Sequence, residues 1–205
     1  MCRLKSGVLL RDRVYVPDHD SHGKMLQDLG IHDNYIGASK TFVRFELSPD
    51  DGNLLTDVNT WAMTIDQDIV PEWFVVDREK YEGIMTDAVR EWAEKHIIKE
   101  GKHEKSEGTY YLLNDAEITL HGNAHATLMG NAKATLMENA QATLRDNAQA
   151  TLWGNAKAEL WDNAQATLGY NASIGNCKIY DNAIAINHKD SKVYVNKEWN
   201  MEVLP

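Results

Sequence analysis

Residues 123–170 read NAHATLMG, NAKATLME, NAQATLRD, NAQATLWG, NAKAELWD and NAQATLGY, six successive variants of one eight-residue unit. In each unit the second, fourth and sixth positions carry apolar side chains, while the third and fifth carry polar side chains. This alternation has a period of two and is typical of a β-strand with one buried face. The Gly residues that precede several of the repeated Asn residues, and the frequent Thr, argue against a helix.

Each unit begins with an Asn, which we expect to occupy a turn. Asn tolerates a positive φ, and its amide can hydrogen-bond to the backbone of the next coil. A stacked column of these side chains would therefore form a corner between strands. The predicted turn ladder consists of Asn123, Asn131, Asn139, Asn147, Asn155, Asn163 and Asn171.

Octads of this kind bury their apolar face only by stacking on one another, so the pattern predicts a parallel β-helix, or β-solenoid. A triangular coil of three octads would enclose an interior that Ala leaves unfilled, whereas two octads per coil suit these small side chains. We therefore expect roughly 16 residues per coil, about four coils and a length of about 19 Å. The sequence leaves the handedness of the coil open.

The chain around the repeat divides into three predicted segments. Residues 1–108 form an α+β head domain with a linker, residues 109–188 form the solenoid, and residues 189–205 form a C-terminal cap. In the head, Ser21 as N-cap and Gly30 after the last turn indicate a short helix. The predicted fold class is thus an α+β N-terminal domain followed by a parallel β-helix with a capping hairpin.

Further patterns fill in the head and the cap. Apolar alternation over 43–47 and 61–65 predicts a small antiparallel sheet, and helical spacing over 77–98 predicts a helix packed on it. The polar stretch 101–108 predicts the linker. We expect the head to cover one open strand edge of the solenoid and a final hairpin to cover the other. Apolar residues of this C-terminal segment are Ile184, Ile186, Val193, Val195, Trp199 and Val203.

The composition excludes several classes of function. The chain has 21 Lys and Arg against 31 Asp and Glu, a net charge of −10 that disfavours direct binding to nucleic acid or anionic lipid. No apolar run approaches the roughly 20 residues of a membrane span, so we expect a soluble, cytoplasmic protein. Cys2 and Cys177 lack metal or disulfide spacing and are predicted to be free thiols. We expect the acidic residues of the head to lie in turns and on a solvated face, although they could also mimic the charge of nucleic acid. These residues are Asp50, Asp51, Asp57, Asp66 and Asp68.

Motifs that carry chemistry are scarce. The stretch Gly37–Thr41 resembles a phosphate-binding loop but lacks the glycine directly before Lys40. The run Asp18–His22 contains groups that can bind metals, but adjacent residues on one turn seldom converge on one ion, and Ser21 serves as a helix cap. We therefore expect no metal, no cofactor and no catalytic residue.

Two histidines support an enzymatic alternative. His121 or His125 could act as the general base of an acyltransferase-like solenoid enzyme. Both occupy outward positions of the repeat, as Lys133 and Gln141 do, so a solvated side chain is the simpler interpretation. The outward column of Thr residues could indicate an ice-binding function, but Glu159 interrupts it, and Thr is also a common residue of ordinary strands.

The seventh position of the octads carries bulky or charged side chains. With two octads per coil, one edge carries a stack of His121, Met137 and Trp153. The other edge carries Met129, Arg145 and Trp161. Such residue types anchor protein interfaces. The alternatives are that they fold over the corners to cover the thin core, or that the edge forms a homodimer. The predicted protein-binding residues are Met129, Met137, Arg145, Trp153 and Trp161.

The octads, together with the segments KSGVLLRDRVYVPDHDSH and GASKTFVRFEL, resemble uncharacterised bacterial and phage proteins in which an α+β leader domain precedes Asn-Ala octapeptide solenoid repeats. The resemblance covers most of the chain. It implies a β-helix and a bacterial or phage origin, and it brings no catalytic residues. Pentapeptide-repeat solenoids that block DNA-acting enzymes suggest an inhibitor by analogy.

These observations predict a non-enzymatic protein-binding module, in the setting of a phage-encoded inhibitor of a bacterial defence or DNA-acting system. The partner is expected to be another protein or a second copy of the chain, and neither nucleic acid nor a membrane. The alternatives are the acyltransferase-like enzyme and a structural scaffold solenoid.

Overall fold

The computed structural model describes residues 4–32 and 40–196 of the chain. The chain forms two compact units, and the division between them falls after Lys95. Most of the Gly37–Thr41 stretch lies outside the described residues.

The first unit contains a four-stranded antiparallel sheet. Its strands are β1 (Lys5–Leu10), β2 (Val14–Tyr15), β3 (Phe42–Ser48) and β4 (Ala62–Ile65), in the spatial order β2-β1-β3-β4. The two strands predicted at 43–47 and 61–65 are therefore confirmed and pair with each other as β3 and β4. β1 lies at the centre of the sheet because it pairs with both β2 and β3.

Three helices accompany this sheet: α1 (His22–Asp28), α2 (Glu72–Val76) and α3 (Arg78–His96). Ser21 caps α1 as predicted, since its side chain accepts a hydrogen bond from the main-chain N–H of Lys24. The helix predicted over 77–98 is α3, which ends two residues earlier at His96.

The packing of α1 and α3 on the sheet follows from their apolar stripes. Met25 and Leu26 of α1 pack with Val8 and Phe42. The stripe of α3 is buried, and its Trp92 ring lies 4.6 Å from the Nζ atom of Lys5 on β1. The buried residues of α3 are Tyr81, Met85, Val89, Trp92 and Ala93.

The second unit is the predicted β-solenoid, with about six turns rather than four. Its strands alternate between a six-stranded and a seven-stranded sheet, and all but the last pair are parallel. The strands are β5 (Ile97–Ile98), β6 (Lys102–Lys105), β7 (Thr109–Leu112), β8 (Glu117–Leu120), β9 (His125–Leu128), β10 (Lys133–Leu136), β11 (Gln141–Leu144), β12 (Gln149–Leu152), β13 (Lys157–Leu160), β14 (Gln165–Leu168), β15 (Cys177–Ile179), β16 (Ile184–Asn187) and β17 (Lys192–Val195).

The strand register confirms two octads per coil. Lys133 pairs with Gln149 in the seven-stranded sheet, and Gln141 pairs with Lys157 in the six-stranded sheet. Each strand therefore lies against the strand two octads away, and equivalent positions of the repeat stack directly. The even octad keeps the same side chains inward in every coil.

The solenoid core consists of the two Ala and the one Leu of each octad. The inward Leu residues from Leu112 to Leu168 are at most 1% exposed, and the Ala residues between them are nearly as buried. Burying one Leu side chain stabilises a fold by roughly 1.5–3 kcal/mol, and Ala lets the two sheets approach closely. These buried Ala and Leu side chains thus fill the narrow two-octad coil between residues 124 and 168.

The solenoid begins earlier than predicted. Residues 101–108 are not a linker, because Lys102–Lys105 forms β6 and pairs in parallel with β8. The predicted boundary at 109 is wrong for the same reason, since β5 at Ile97–Ile98 already pairs with β7. Parallel pairing uses main-chain groups, so polar residues such as those of β6 join the sheet without an apolar signal in the sequence.

The C-terminal hairpin is confirmed within the described residues. A short 3₁₀ turn at Ile174–Asn176 adds three residues, so that Cys177 pairs with Ala158. β17 then folds back antiparallel on β16 and forms the edge of the seven-stranded sheet. Trp199 and Val203 lie outside the described residues.

The turns lie where the Asn ladder predicts, but their backbone differs from the expectation. The positive φ falls on the eighth residue of the preceding octad, as at Glu138 (+58°), Asp146 (+55°) and Asp162 (+57°), and not on the Asn that follows. The exposed Asn residues contribute through the backbone: the N–H of Asn163 donates to the carbonyl of Asp146 at 2.9 Å.

Carboxylates, rather than Asn amides, form most of the side-chain bonds between the turns. Asp146 accepts from the N–H of Gly130 at 2.8 Å, and Asp162 accepts from the N–H of Asp146 at 3.1 Å. Asp181 continues this column by accepting from the N–H of Asp162. Glu138 does the same for Gly122 at the opposite corner. Hydrogen bonds to ionised groups are stronger than neutral ones, so these carboxylates hold successive turns together.

The turn carboxylates allow a test of backbone strain against hydrogen bonding. Changing Asp162 to Ala removes the hydrogen bond that its carboxylate accepts from the N–H of Asp146. It also places Ala, which lacks the polar side chain that lets Asp tolerate a positive φ, at φ +57°. We expect a loss of about 2–3 kcal/mol in the free energy of unfolding, from about 1–2 kcal/mol of left-handed strain and roughly 1 kcal/mol for the bond. Asp162→Gly should lose only the bond. Guanidinium unfolding followed by circular dichroism measures both, and equal losses would contradict the assignment of strain.

Candidate functional site

The seventh residues of the octads form two columns, one at each edge of the solenoid. Along the Trp153 edge lie His121, Met137, Trp153 and Gly169. Along the Trp161 edge lie Met129, Arg145, Trp161 and Tyr180. The structure thus divides the predicted binding residues between two edges, as expected from two octads per coil.

Stacked side chains make up the Trp161 edge. The rings of Trp161 and Tyr180 are parallel within 12°, with centroids 3.9 Å apart. The guanidinium carbon of Arg145 lies 5.7 Å from the Trp161 ring centre, within the range of a cation–π interaction. Met129 and Trp161 are half-buried, whereas Arg145 is exposed. This edge therefore presents a charged group on a fixed aromatic base.

Tyr180 is a member of this edge that the sequence analysis missed. It belongs to the broken unit after residue 170, where the octad spacing is lost. The signal was nevertheless present, because Tyr180 begins YDNA just as Trp161 begins WDNA. The three added residues of the 3₁₀ turn restore the register, so that Tyr180 stacks on Trp161.

The Trp153 edge exposes more aromatic surface. Trp153 is 42% exposed and lies over Gly169, where an added Cβ would be only 2.4 Å from its Cε3 atom. Tyr170 follows Gly169 and is 71% exposed, with Lys189 Nζ 5.1 Å from its ring. Met137 is half-buried. The ring of Trp153 therefore packs by one face on Gly169 and leaves the rest to solvent.

Both interpretations of the seventh position hold in part. Trp161, Met129 and Met137 are half-buried and cover the corners of the core, whereas Arg145 and Trp153 are exposed. A side chain that is fixed by its neighbours and still exposed loses little conformational entropy on binding. Arg145 and Trp153 are therefore the two predicted residues best placed to contact a partner.

The two histidines lie in different surroundings. His121 is half-buried, and its Nε2 atom lies 3.0 Å from Glu104 Oε1. Together with Ser106 and Glu138, these residues line a surface cavity of about 450 Å³. His125 is exposed on the outer face of the six-stranded sheet. Of the two, only His121 thus has a carboxylate within ion-pair distance, and that contact lacks the geometry of a hydrogen bond.

The structure corrects the interpretation of the Thr column. Glu159 lies in the six-stranded sheet, where Lys178 pairs with it at 2.6 Å. The seven-stranded sheet carries an unbroken column, which consists of Thr119, Thr135, Thr151 and Thr167. The neighbouring column on that face includes the charged residues Glu117 and Lys133, so the face is mixed in character.

Cys177 is a free thiol in β15, as predicted, while Cys2 lies outside the described residues. Burial raises the pKa of the Cys177 thiol to about 11. The thiolate is the nucleophilic form, so Cys177 stays protonated and unreactive near neutral pH.

Members of the Asp18–His22 run bind separate partners. His19 Nε2 lies 3.1 Å from Asp28, and this hydrogen bond lowers the pKa of the Asp28 carboxyl. Asp20 accepts from the Nζ atom of the buried Lys5 at 2.8 Å. The side chains of His19 and Asp20 therefore contact different partners.

Comparisons with protein-family models, with curated proteins and with solved structures give no match to this chain. In the part of the chain that the structure describes, no helix is long and apolar enough to cross a membrane.

The packing of Trp153 on Gly169 gives a prediction for the Trp153 edge. Gly169 has no positive φ, so Gly169→Ala introduces only a methyl group that clashes with the Trp153 ring. We expect a loss of about 1–3 kcal/mol in the free energy of unfolding, as for overpacked sites. In a Trp153→Ala background the same change should cost little, because the methyl group then has space. Additive losses in this double-mutant cycle, measured by chemical unfolding, would contradict the packing.

Proposed function

We propose that the protein is a non-enzymatic protein-binding module that presents the edges of its solenoid to another protein. The observation that carries the proposal is the exposure of Trp153 and Arg145, each held by a packed neighbour, beside strands β8 to β14, whose outward residues are polar. Trp and Arg are the residue types that most often supply the binding energy of protein interfaces.

The charge supports a protein partner over nucleic acid. The net charge of −10 repels phosphate backbones, and the acidic side chains at the turns engage main-chain N–H groups of the neighbouring coil. Arg145 and Trp161 lie beside this carboxylate column. A partner that contacts the Trp161 edge is therefore expected to offer an acidic group to Arg145 and an apolar group to the aromatic stack.

The biological setting that we propose is an inhibitor of a bacterial defence or DNA-acting system, carried by a phage. It rests on the resemblance of the octads and not on a site. We also propose a cytoplasmic location, which the free thiol of Cys177 supports because reducing compartments keep thiols unpaired.

Substitution of the exposed residues tests the proposal. We expect Trp153→Ala or Arg145→Ala to weaken binding to the partner about tenfold or more, since truncation of an interface anchor costs about 2 kcal/mol. The matched control is Gln149→Ala, an exposed residue of the sheet face that should change affinity less than about twofold. Proteins retained from a bacterial lysate are purified and titrated against each variant by calorimetry.

The outcomes are distinct. Loss of binding in the edge variants, with the control unchanged, supports the proposal. Equal binding by all variants, or no retained protein that binds when purified, contradicts it. If the retained protein is a second copy of the chain, sedimentation across a concentration series separates a dimer from the open-ended growth of a scaffold.

The pairing of His121 with Glu104 favours one second candidate, an acyltransferase-like enzyme. The test measures release of coenzyme A from acetyl-coenzyme A in the presence of amine or hydroxyl acceptors. If the main proposal holds, the wild-type protein and the His121→Ala variant release it at the same rate. Release that depends on His121 but survives His125→Ala would establish the enzyme and contradict the non-enzymatic assignment.

A further inference from the structure

Three side chains from separate elements of the first unit converge on one point. His22 is the first residue of α1, Glu46 lies in β3 and Asp66 follows the end of β4. One donor atom from each lies within 4.8 Å of the other two. The residues are far apart in sequence, and the fold brings them together. The spacing of the adjacent residues 18–22 therefore gives no sign of this three-residue set.

The ring of His22 contacts an acceptor on each side. Its Nε2 atom lies 3.3 Å from the carbonyl oxygen of Phe45, and its Nδ1 atom lies 3.0 Å from Asp66 Oδ2. A carbonyl oxygen can only accept, so Nε2 carries a hydrogen. In the neutral ring, Nδ1 then carries a lone pair that faces the anionic oxygen of Asp66. A cation or a second proton must lie between these two atoms. Metal-binding histidines are oriented in this way, with the other ring nitrogen donating to a carbonyl.

Glu46 supplies a buried carboxylate. The residue is 9% exposed, and among the described residues its carboxylate has no hydrogen-bond or ion-pair partner. A carboxylate is costly to bury without a partner, and metal coordination is one of the usual ways to satisfy it.

Ser6 gives an independent indication of a ligand at this point. It lies directly opposite Glu46 in the pairing of β1 with β3, so both side chains project from the same face of the sheet. Ser6 is fully buried, and its Oγ atom has no hydrogen-bond partner. A water bound to an ion beside Glu46 would give this hydroxyl group a partner.

We propose that His22, Glu46 and Asp66 bind a divalent transition-metal ion of the zinc class. One imidazole and two carboxylates are ligands that Zn²⁺ accepts, whereas Mg²⁺ and Ca²⁺ prefer oxygen alone. Ligand atoms about 3.3 Å apart surround a tetrahedral Zn²⁺, so the 3.0 Å separation of His22 and Asp66 needs only a small adjustment. The fourth position is open to water, and the ion joins α1 to the sheet.

The position of Asp66 is stabilised independently of the ion. Its main-chain N–H donates to the carbonyl of Arg44 at 2.9 Å, and the Nε atom of Arg44 donates back to the Asp66 carbonyl at 2.9 Å. The Asp66 side chain is 55% exposed and that of His22 is 10% exposed, so the site opens to solvent on the side of Asp66. An ion can therefore enter without unfolding the unit.

Zinc titration of the tag-free, full-length chain tests the site. After treatment with EDTA and dialysis, calorimetry with ZnCl₂ should give one ion per chain. Glu46→Gln and Asp66→Asn should each weaken this binding about tenfold or more, since each removes a ligand but little volume. The matched control is Asp68→Asn, an exposed carboxylate two residues from Asp66, which should leave the affinity unchanged.

Two results would overturn the site. Zn²⁺ that fails to bind wild-type protein would show that a proton alone bridges His22 and Asp66. Binding of equal strength in Glu46→Gln, Asp66→Asn and the control would place the ion elsewhere. Circular dichroism checks that Glu46→Gln folds, and Asp66→Asn, a change at an exposed side chain, keeps the test decisive if it does not. The visible spectrum of the Co²⁺-substituted chain should change in Asp66→Asn if Asp66 is a ligand.

Discussion

From Ala124 to Leu168 the gap between the two solenoid sheets is filled by Ala and Leu, and this part of the second unit depends on their close packing. Ala occupies two inward positions of each octad and Leu the third, while larger inward residues, Ile98, Tyr110 and Ile118, lie before this stretch. Bulky side chains must then go to the corners, where the chain turns and the interior ends. The enrichment of Trp, Met and Arg at the edges is thus a consequence of the narrow core, which any use of these edges exploits.

Much of the solenoid was predictable from the sequence, since the octad fixes both the face and the phase of each strand. The inward Ala and Leu, the coil of two octads and the division into two edges all follow from the period of two within a repeat of eight. The start of the solenoid was not predictable in this way. Strand β6 carries exposed Lys, His and Glu side chains, and its membership of the sheet depends on main-chain bonds to β8 that leave no mark on composition.

Other features escaped because they depend on three-dimensional proximity. The positive φ at Asp146 and Asp162 lies one residue before the Asn that was expected to carry it, since Asp also tolerates this region and its carboxylate reaches the preceding coil. Glu46 is buried, and its carboxylate lies near the side chains of His22 and Asp66, which other elements contribute. The sequence pattern describes each strand by itself, whereas the burial of a side chain depends on which other elements pack against that strand.

Successive octads alternate between the two sheets, and this places a condition on any change in length. An insertion of a single octad would transfer every later seventh-position side chain to the opposite edge. The inward and outward positions of each strand would stay the same. Arg145 would then no longer share a column with Trp161 and Tyr180 if the insertion fell between them. Growth or shortening of the repeat that preserves this aromatic stack must therefore proceed by whole coils.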